Sequence, residues 1–341
     1  MIYNLKNFPY YLVLLVILFN ACEQKRQALG ADNEIRVICS ELDKKVLEGA
    51  LTFIFDDTIH TPQPEPYYYL KFSKPDTYND LKKQAYIVVG AINRNSENLG
   101  LKLIKKLLPE NQFNSSNTNE QILFTKDLYA SNQLFMVINS DSVNKLIATA
   151  KEKKEWIKKQ FHDQFIRRQK KFLFGDDTNT DLEKKIKKEY DWNIQIPWGW
   201  EIIRSRPDSN FVWIGREIPF QWISIHSKKG KYVNNELVAG KYLWDWPKNH
   251  YMSIEFNNYN FRLKNTKFKD HIAWRVDGVW QTIKESDAKG GPFRSYLFYD
   301  EKSHQTFHIN MLIYNPGNDK SIYLRQLDLI ANTFEIEISN K

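Results

Sequence analysis

Apolar positions in this chain fall into runs of three kinds. The first, Phe8–Phe19 (FPYYLVLLVILF), is a dozen residues without a charge. A membrane-crossing helix needs roughly 20 apolar residues, whereas a run of about 10–14 suits the hydrophobic region of a secretory signal. The second kind alternates short strand and helix signals. Strands are predicted over Ile35–Cys39, Tyr67–Phe72 and Tyr86–Ile92, and helices over Leu42–Phe55, Pro75–Leu81 and Glu97–Leu108. Tyr86–Ile92 (YIVVGAI) is apolar throughout, the pattern of a strand buried on both faces. A hairpin with arms Gln121–Thr125 and Gln133–Asn139 then leads into a long helix over Asp141–Phe172, where Ile157, Phe161, Phe165 and Phe172 recur at helical spacing.

The third kind is strand-rich and aromatic. Phe211–Arg216, Gln221–His226, Ile272–Val276, Ser295–Asp300 and Thr306–Tyr314 read as strands, and Asp319–Phe334 as a closing helix. A hairpin followed by a helix therefore occurs twice, which suggests two related halves. The expected fold is α+β, a mixed or antiparallel sheet packed by helices. Residues 1–21 form the expected signal peptide and 22–33 a polar tether. The first α+β half is expected over 34–174 and the second, rich in strands and Trp, over 175–341.

Two features of composition sharpen this picture. Ala21-Cys22 directly follows the short apolar run, as in a lipoprotein signal, so Cys22 is the expected lipidation site after removal of residues 1–21. Palmitate or a similar acyl chain would then anchor the chain to a membrane. Glu23-Gln24-Lys25-Arg26 lacks an acidic cluster, so the expected location is the outer membrane, facing the periplasm. Cys39, in a strand pattern, reads as a small core residue, and no disulfide can form between it and an acylated Cys22. The formal charge of +8 is concentrated in Lys151–Lys171 (KEKKEWIKKQFHDQFIRRQKK) and Lys184–Lys188. Interleaved acids and an apolar stripe make the first run an amphipathic helix with a solvated basic face, so no nucleic-acid partner is expected.

Several segments carry a resemblance. Gln63-Pro64-Glu65-Pro66, Ala130-Ser131-Asn132-Gln133, Ile196-Pro197, Asn210-Phe211-Val212-Trp213-Ile214, Gly278-Val279-Trp280, Gly290-Gly291-Pro292-Phe293 and Tyr314-Asn315-Pro316-Gly317 stand in the order of a Bacteroidetes lipoprotein family, domain of unknown function 4837. The chain resembles that family over nearly all of residues 22–341. The resemblance implies an envelope lipoprotein and supplies no reactive groups, since the shared residues belong to turns and core.

Candidate chemistry is sparse. His304 and His308, four apart on a strand, would be about 13 Å apart, too far for one zinc. His60, His162, His226, His250 and His271 stand isolated. Ser142-Val143-Asn144-Lys145 and Ser286-Asp287-Ala288-Lys289 match S-x-x-K, yet Ser142 reads as a helix cap and no K-T-G strand accompanies it. The candidate ligand-binding residues are Trp280, Lys289, Gly290, Gly291, Pro292, Phe293 and Arg294, where two glycines in a loop would open backbone N–H groups toward an anion. Paired Trp198/Trp200 and Trp244/Trp246, if extended, would each share a face and offer a sugar-stacking platform. No catalytic residue, cofactor or metal site is assigned. The expected role is a non-catalytic binding or assembly component with an envelope protein or glycan partner. The alternative is an envelope hydrolase of peptidoglycan or glycan, which a pair of facing carboxylates near Trp280 would favour.

Overall fold

The computed structural model describes residues 25–61, 63–118, 121–175, 177–284, 286 and 288–337. The apolar run at Phe8–Phe19 and Cys22 lie outside the described residues. Among the described residues no helix is long and apolar enough to cross a membrane. The chain divides into two compact units. One takes residues up to Ala31, Ile35–Leu47 and Lys71–Leu146; the other takes Asp32–Glu34, Glu48–Leu70 and Ile147 onward. This division differs from the halves read along the sequence. It falls at Leu146/Ile147, inside a helix, because Phe165 and Leu173 of that helix belong to the core of the second unit.

In the first unit a five-stranded sheet runs in the order β2-β1-β3-β5-β4. Its strands are β1 (Glu34–Cys39), β2 (Tyr69–Ser73), β3 (Tyr86–Ala91), β4 (Ile122–Lys126) and β5 (Leu134–Asn139). Strands β1, β3 and β5 are parallel, and β4 closes against β5 as the antiparallel hairpin expected from the sequence. All six residues of β3 are buried, as its unbroken apolar run requires. Helices α1 (Glu41–Ile54) and α2 (Leu99–Leu107) follow β1 and β3. Leu101 and Ile104 of α2 pack on Ile38, Ile87 and Val137. At the carboxyl ends of the parallel strands Asp43 accepts hydrogen bonds from the Asn93 N–H (2.8 Å) and from Asn98 Nδ2 (2.7 Å). Asn98 in turn caps α2 by accepting from Gly100 and Leu101. Cys39 is a buried core residue, and burial, with Asp43 and Glu41 adding, pushes its thiol up to about 12. The segment read as a tether is bound from Lys25 onward: Lys25 donates to the carbonyls of Asp127 and Leu128, and Ala28 N–H to Ser131.

The second unit is built on a seven-stranded sheet, antiparallel throughout, in the order β9-β10-β11-β12-β8-β7-β6. These strands are β6 (Glu201–Arg206), β7 (Phe211–Arg216), β8 (Phe220–Lys229), β9 (Ile254–Phe268), β10 (His271–Thr282), β11 (Gly290–Asp300) and β12 (Gln305–Tyr314). Side chains alternate between its faces, and both faces are covered. On one face Val212, Ile214, Ile309 and Met311 meet α3 (Val143–Phe174), α4 (Thr180–Tyr190) and α6 (Ser321–Ala331). On the other, Phe211, Trp213, Phe293 and Leu312 meet Ala239, Leu243 and Trp246 of α5 (Glu236–His250).

Three sequence expectations change in this unit. Trp244 and Trp246 lie on helix α5 and not on a strand, so two positions apart turns them to different sides. Trp246 is core, and Trp244 packs edge-on against Phe261. The other pair also splits, with Trp198 74% exposed and Trp200 1%. Phe172, placed on the apolar stripe of the long helix, is 65% exposed, while Ile157, Phe161 and Phe165 are buried as expected. Finally, the glycine loop expected at 290–294 is the start of β11. Gly291 stands there because Trp280 crosses over it to donate from Nε1 to the Ile313 carbonyl at 3.0 Å, leaving no room for a Cβ between indole and carbonyl. Gly291→Ala should therefore destabilise the second unit by about 1–3 kcal/mol through overpacking, read as a lower urea midpoint with an unchanged slope.

Candidate functional site

A cavity of about 670 Å³ opens between α3, α6 and the face of the sheet that these helices cover. Helical spacing delivers one wall: Glu155, Lys158, Lys159, His162 and Ile166 form a stripe along α3. A second wall comes from Arg325, Asp328, Leu329 and Asn332, spaced three and four apart at α6 and its end. Strand alternation delivers the floor. Arg275 lines it from β10, and Arg294 and Tyr296 from β11. Phe55, Tyr67, Tyr68 and Phe165 add aromatic lining, and Asp57, Lys170 and Thr333 complete it.

The floor is an ion network. Asp277 and Arg294 stand opposite each other across the β10–β11 ladder. Arg294 donates from Nε to Asp277 at 2.6 Å and from Nη1 to Asp328, and reaches Tyr67 Oη at 3.4 Å. Arg275 donates to the same Asp277 at 2.7 and 3.0 Å, and Tyr296 donates to Asp328 at 3.2 Å. Burial works against the charged form of Arg294, but Asp328 and Asp277 outweigh it and hold its pKa well above the ordinary value. Burial likewise opposes the charge on Asp277, and Arg294 and Arg275 override it, keeping that carboxyl below the usual range.

Above the floor Arg325 is held differently. Its guanidinium lies 3.4 Å from the centre of the Phe165 ring and 4.8 Å from those of Tyr67 and Tyr68. Nη1 donates to the Tyr67 carbonyl at 3.2 Å and Nη2 to Tyr68 Oη at 2.9 Å. The Nε–H has no hydrogen-bond partner among the described residues.

Of the residues chosen from sequence, only Arg294 lines this cavity, because alternate residues of β11 face opposite sides. Trp280, Gly290 and Gly291 line a second cavity of about 810 Å³. Pro292 lines a third with Phe293 and Arg294. Phe293 is fully buried and stacks on Phe256 with ring centres 3.8 Å apart. Lys289 is bonded through its backbone to Thr282, its N–H donating to Oγ1 at 3.0 Å. Two carboxylates, Glu65 and Asp319, do line the cavity beside Trp280, and both are committed. Glu65 accepts from Lys320 Nζ (2.8 Å) and from the N–H groups of Lys320 and Ser321, where a helix start needs an acceptor. Asp319 accepts from Tyr69 Oη (2.8 Å) and Asn33 Nδ2 (3.1 Å).

The span from α4 to the end of α6, which holds the whole seven-stranded sheet, matches the family model described as domain of unknown function DUF4837, over residues 179–333. Among curated proteins none matches the chain. Among solved structures, the Ran-binding protein Mog1p of Saccharomyces cerevisiae is 8% identical, with a TM-score of 0.30 over 43% of this chain and 90% of that one. LpqN, involved in cell envelope biogenesis of Mycobacterium tuberculosis, is 10% identical, with a TM-score of 0.28 over 43% and 83%. A Bacteroides thetaiotaomicron protein is 12% identical at a TM-score of 0.28, and the match spans 44% of this chain and 47% of that one.

The second unit also gathers histidines that sequence spacing leaves apart. His226 and His308 face each other across β8 and β12, and α5 lays Trp246 and His250 over them. Trp246 stacks on His250 at 3.7 Å and meets His308 edge-on at 4.1 Å, while His226 Nδ1 lies 2.9 Å from Tyr242 Oη. His308 is fully buried, and neither ring nitrogen has a hydrogen-bond partner among the described residues. Burial, with neighbouring cations and imidazoles adding, pushes His226 down to about 3 and His250 to about 4, and lowers His308 strongly. Among the described residues no group of three His, Cys, Asp or Glu is placed to hold a metal ion.

Two outcomes follow from this geometry. Asp328→Asn leaves Arg294 with half its counter-charge in a dry site and should cost about 3–5 kcal/mol, whereas adding Arg294→Met to it should recover part of the loss in the same denaturant titration. The imidazoles are neutral when folded, but the unfolded chain takes protons near pH 6.5. Their contribution is thus fully present above about pH 6.5 and is lost as the pH falls toward 4 and 3. Thermal midpoints should drop between about pH 6.5 and 4, and His308→Phe should flatten that drop; an equal slope in the variant would show that these rings do not set it.

Proposed function

We propose that this chain is a cell-envelope lipoprotein, anchored through acylated Cys22 in the outer membrane and facing the periplasm, whose second unit binds a ligand without transforming it. The short uncharged run before Ala21-Cys22 supports the anchor. The binding reading rests on the cavity floor, where Arg275, Arg294, Asp277 and Asp328 neutralise one another. Groups locked in this way shape and polarise a pocket; a general acid or base needs a proton it can exchange near neutral pH. The carboxylates beside Trp280 serve as a helix cap and as an acceptor for Tyr69 and Asn33, which supports the binding reading over hydrolysis.

Cells expressing the full chain and fed an alkyne analogue of palmitate should yield a labelled, membrane-bound protein of reduced size. Cys22→Ala should lose the label and keep the full-length mass. Label retained in that variant, or a wild-type chain found unlabelled in the soluble fraction, would overturn the anchor.

A further inference from the structure

We propose that the cavity between α3, α6 and the sheet takes an anionic amphiphile, its oxyanion head against Arg325 and its aliphatic body along Phe55, Phe165, Ile166 and Leu329. This rests on the binding reading above and names the ligand class.

Charge balance is the first argument. Two arginines of the floor are matched by two aspartates, Arg275 and Arg294 by Asp277 and Asp328. At the mouth Lys158 is matched by Asp57 at 2.7 Å and Asp56 at 3.3 Å, and Lys159 by Asp163. Arg325 has no carboxylate partner among the described residues, yet it is only 4% exposed. A buried cation is costly unless an anion or a full set of acceptors satisfies it. Three ring faces and two acceptors cover part of that cost, and the unpartnered Nε–H marks what is left. A guanidinium with spare N–H groups on a desolvated wall is the donor that a phosphate or carboxylate matches.

The walls argue for more than an anion. Phe55, Phe165 and Leu329 are buried side chains that present carbon to the cavity, and its volume of about 670 Å³ far exceeds what a small oxyanion fills. Pockets of that size hold an apolar body oriented by a few polar groups. The acids that also line the space sit toward its mouth, Asp57 tied to Lys158 and Glu155 exposed on α3. Lys170 lies on the same rim.

The test uses the full chain in nanodiscs of zwitterionic lipid, followed by thermal unfolding with three probes. Hexyl phosphate should raise the midpoint by about 5 °C at saturation, with inorganic phosphate and hexanol each giving much less. Arg325→Gln should weaken the apparent affinity for hexyl phosphate at least tenfold. Ile166→Trp, which grows into the cavity from a half-buried position, should abolish the response even if the Arg325 variant fails to fold. An equal shift with inorganic phosphate would overturn the amphiphile in favour of a free anion. An equal shift with hexanol, an undiminished response in both variants, or no shift with any probe would overturn the assignment. Intact mass on the same sample reads acylation of Cys22 separately, so a failed cavity assignment and a failed anchor are told apart.

Discussion

Arg294 is held between Asp277 and Asp328, and this one buried contact ties two neighbouring strands to helix α6 and to Tyr67. A charge taken out of water is tolerated only where partners surround it, so the contact restricts the structure more than it strengthens it. Asp277 and Arg294 meet because β10 and β11 pair in one register. A slip of one residue would turn Arg294 into the apolar layer under α5 and Phe293 into the ionic floor. The rest of the cavity inherits its geometry from that register.

The seven-stranded sheet works as a partition. On the side of α6 its side chains form the ionic floor and the aliphatic layer of Ile309, Met311 and Ile313; on the side of α5 they form a layer dominated by aromatic rings. Trp280, Phe293 and Phe256 fill the second layer, and glycines at 278 and 291 leave the space those rings occupy. The same layer holds Ser224, Tyr251, Asn310 and Ser295 in one chain of hydrogen bonds, so its few polar groups satisfy one another. His308 stands apart as a buried ring with two unused nitrogens, held neutral by its surroundings. One sheet thus carries an ionic cavity on one face and a cluster of buried histidines on the other, at positions that alternate along the same strands.

Much of the fold was legible in the sequence, because periodicity is a local property. The buried strand Tyr86–Ala91, the hairpin leading into the long helix, the strand Phe211–Arg216 and the closing helix follow from runs of two-residue or helical spacing. Helix α5 and the fifteen-residue strand β9 were not legible: Pro247 and scattered aromatics blur the first, and alternating polar residues disguise the second. The short apolar leader and the cysteine behind it belong to the sequence alone, as an expectation outside the described residues. The candidate site was legible only at Arg294. Asp277, Asp328 and Arg325 are ordinary charged residues until strand register and helix packing bring them within hydrogen-bond reach, and His226, His250 and His308 are ordinary histidines for the same reason. Local sequence sets which face a side chain takes; which distant side chain it meets there, and whether water can reach both, is settled only by tertiary packing, since pairing and desolvation act across contacts remote along the chain.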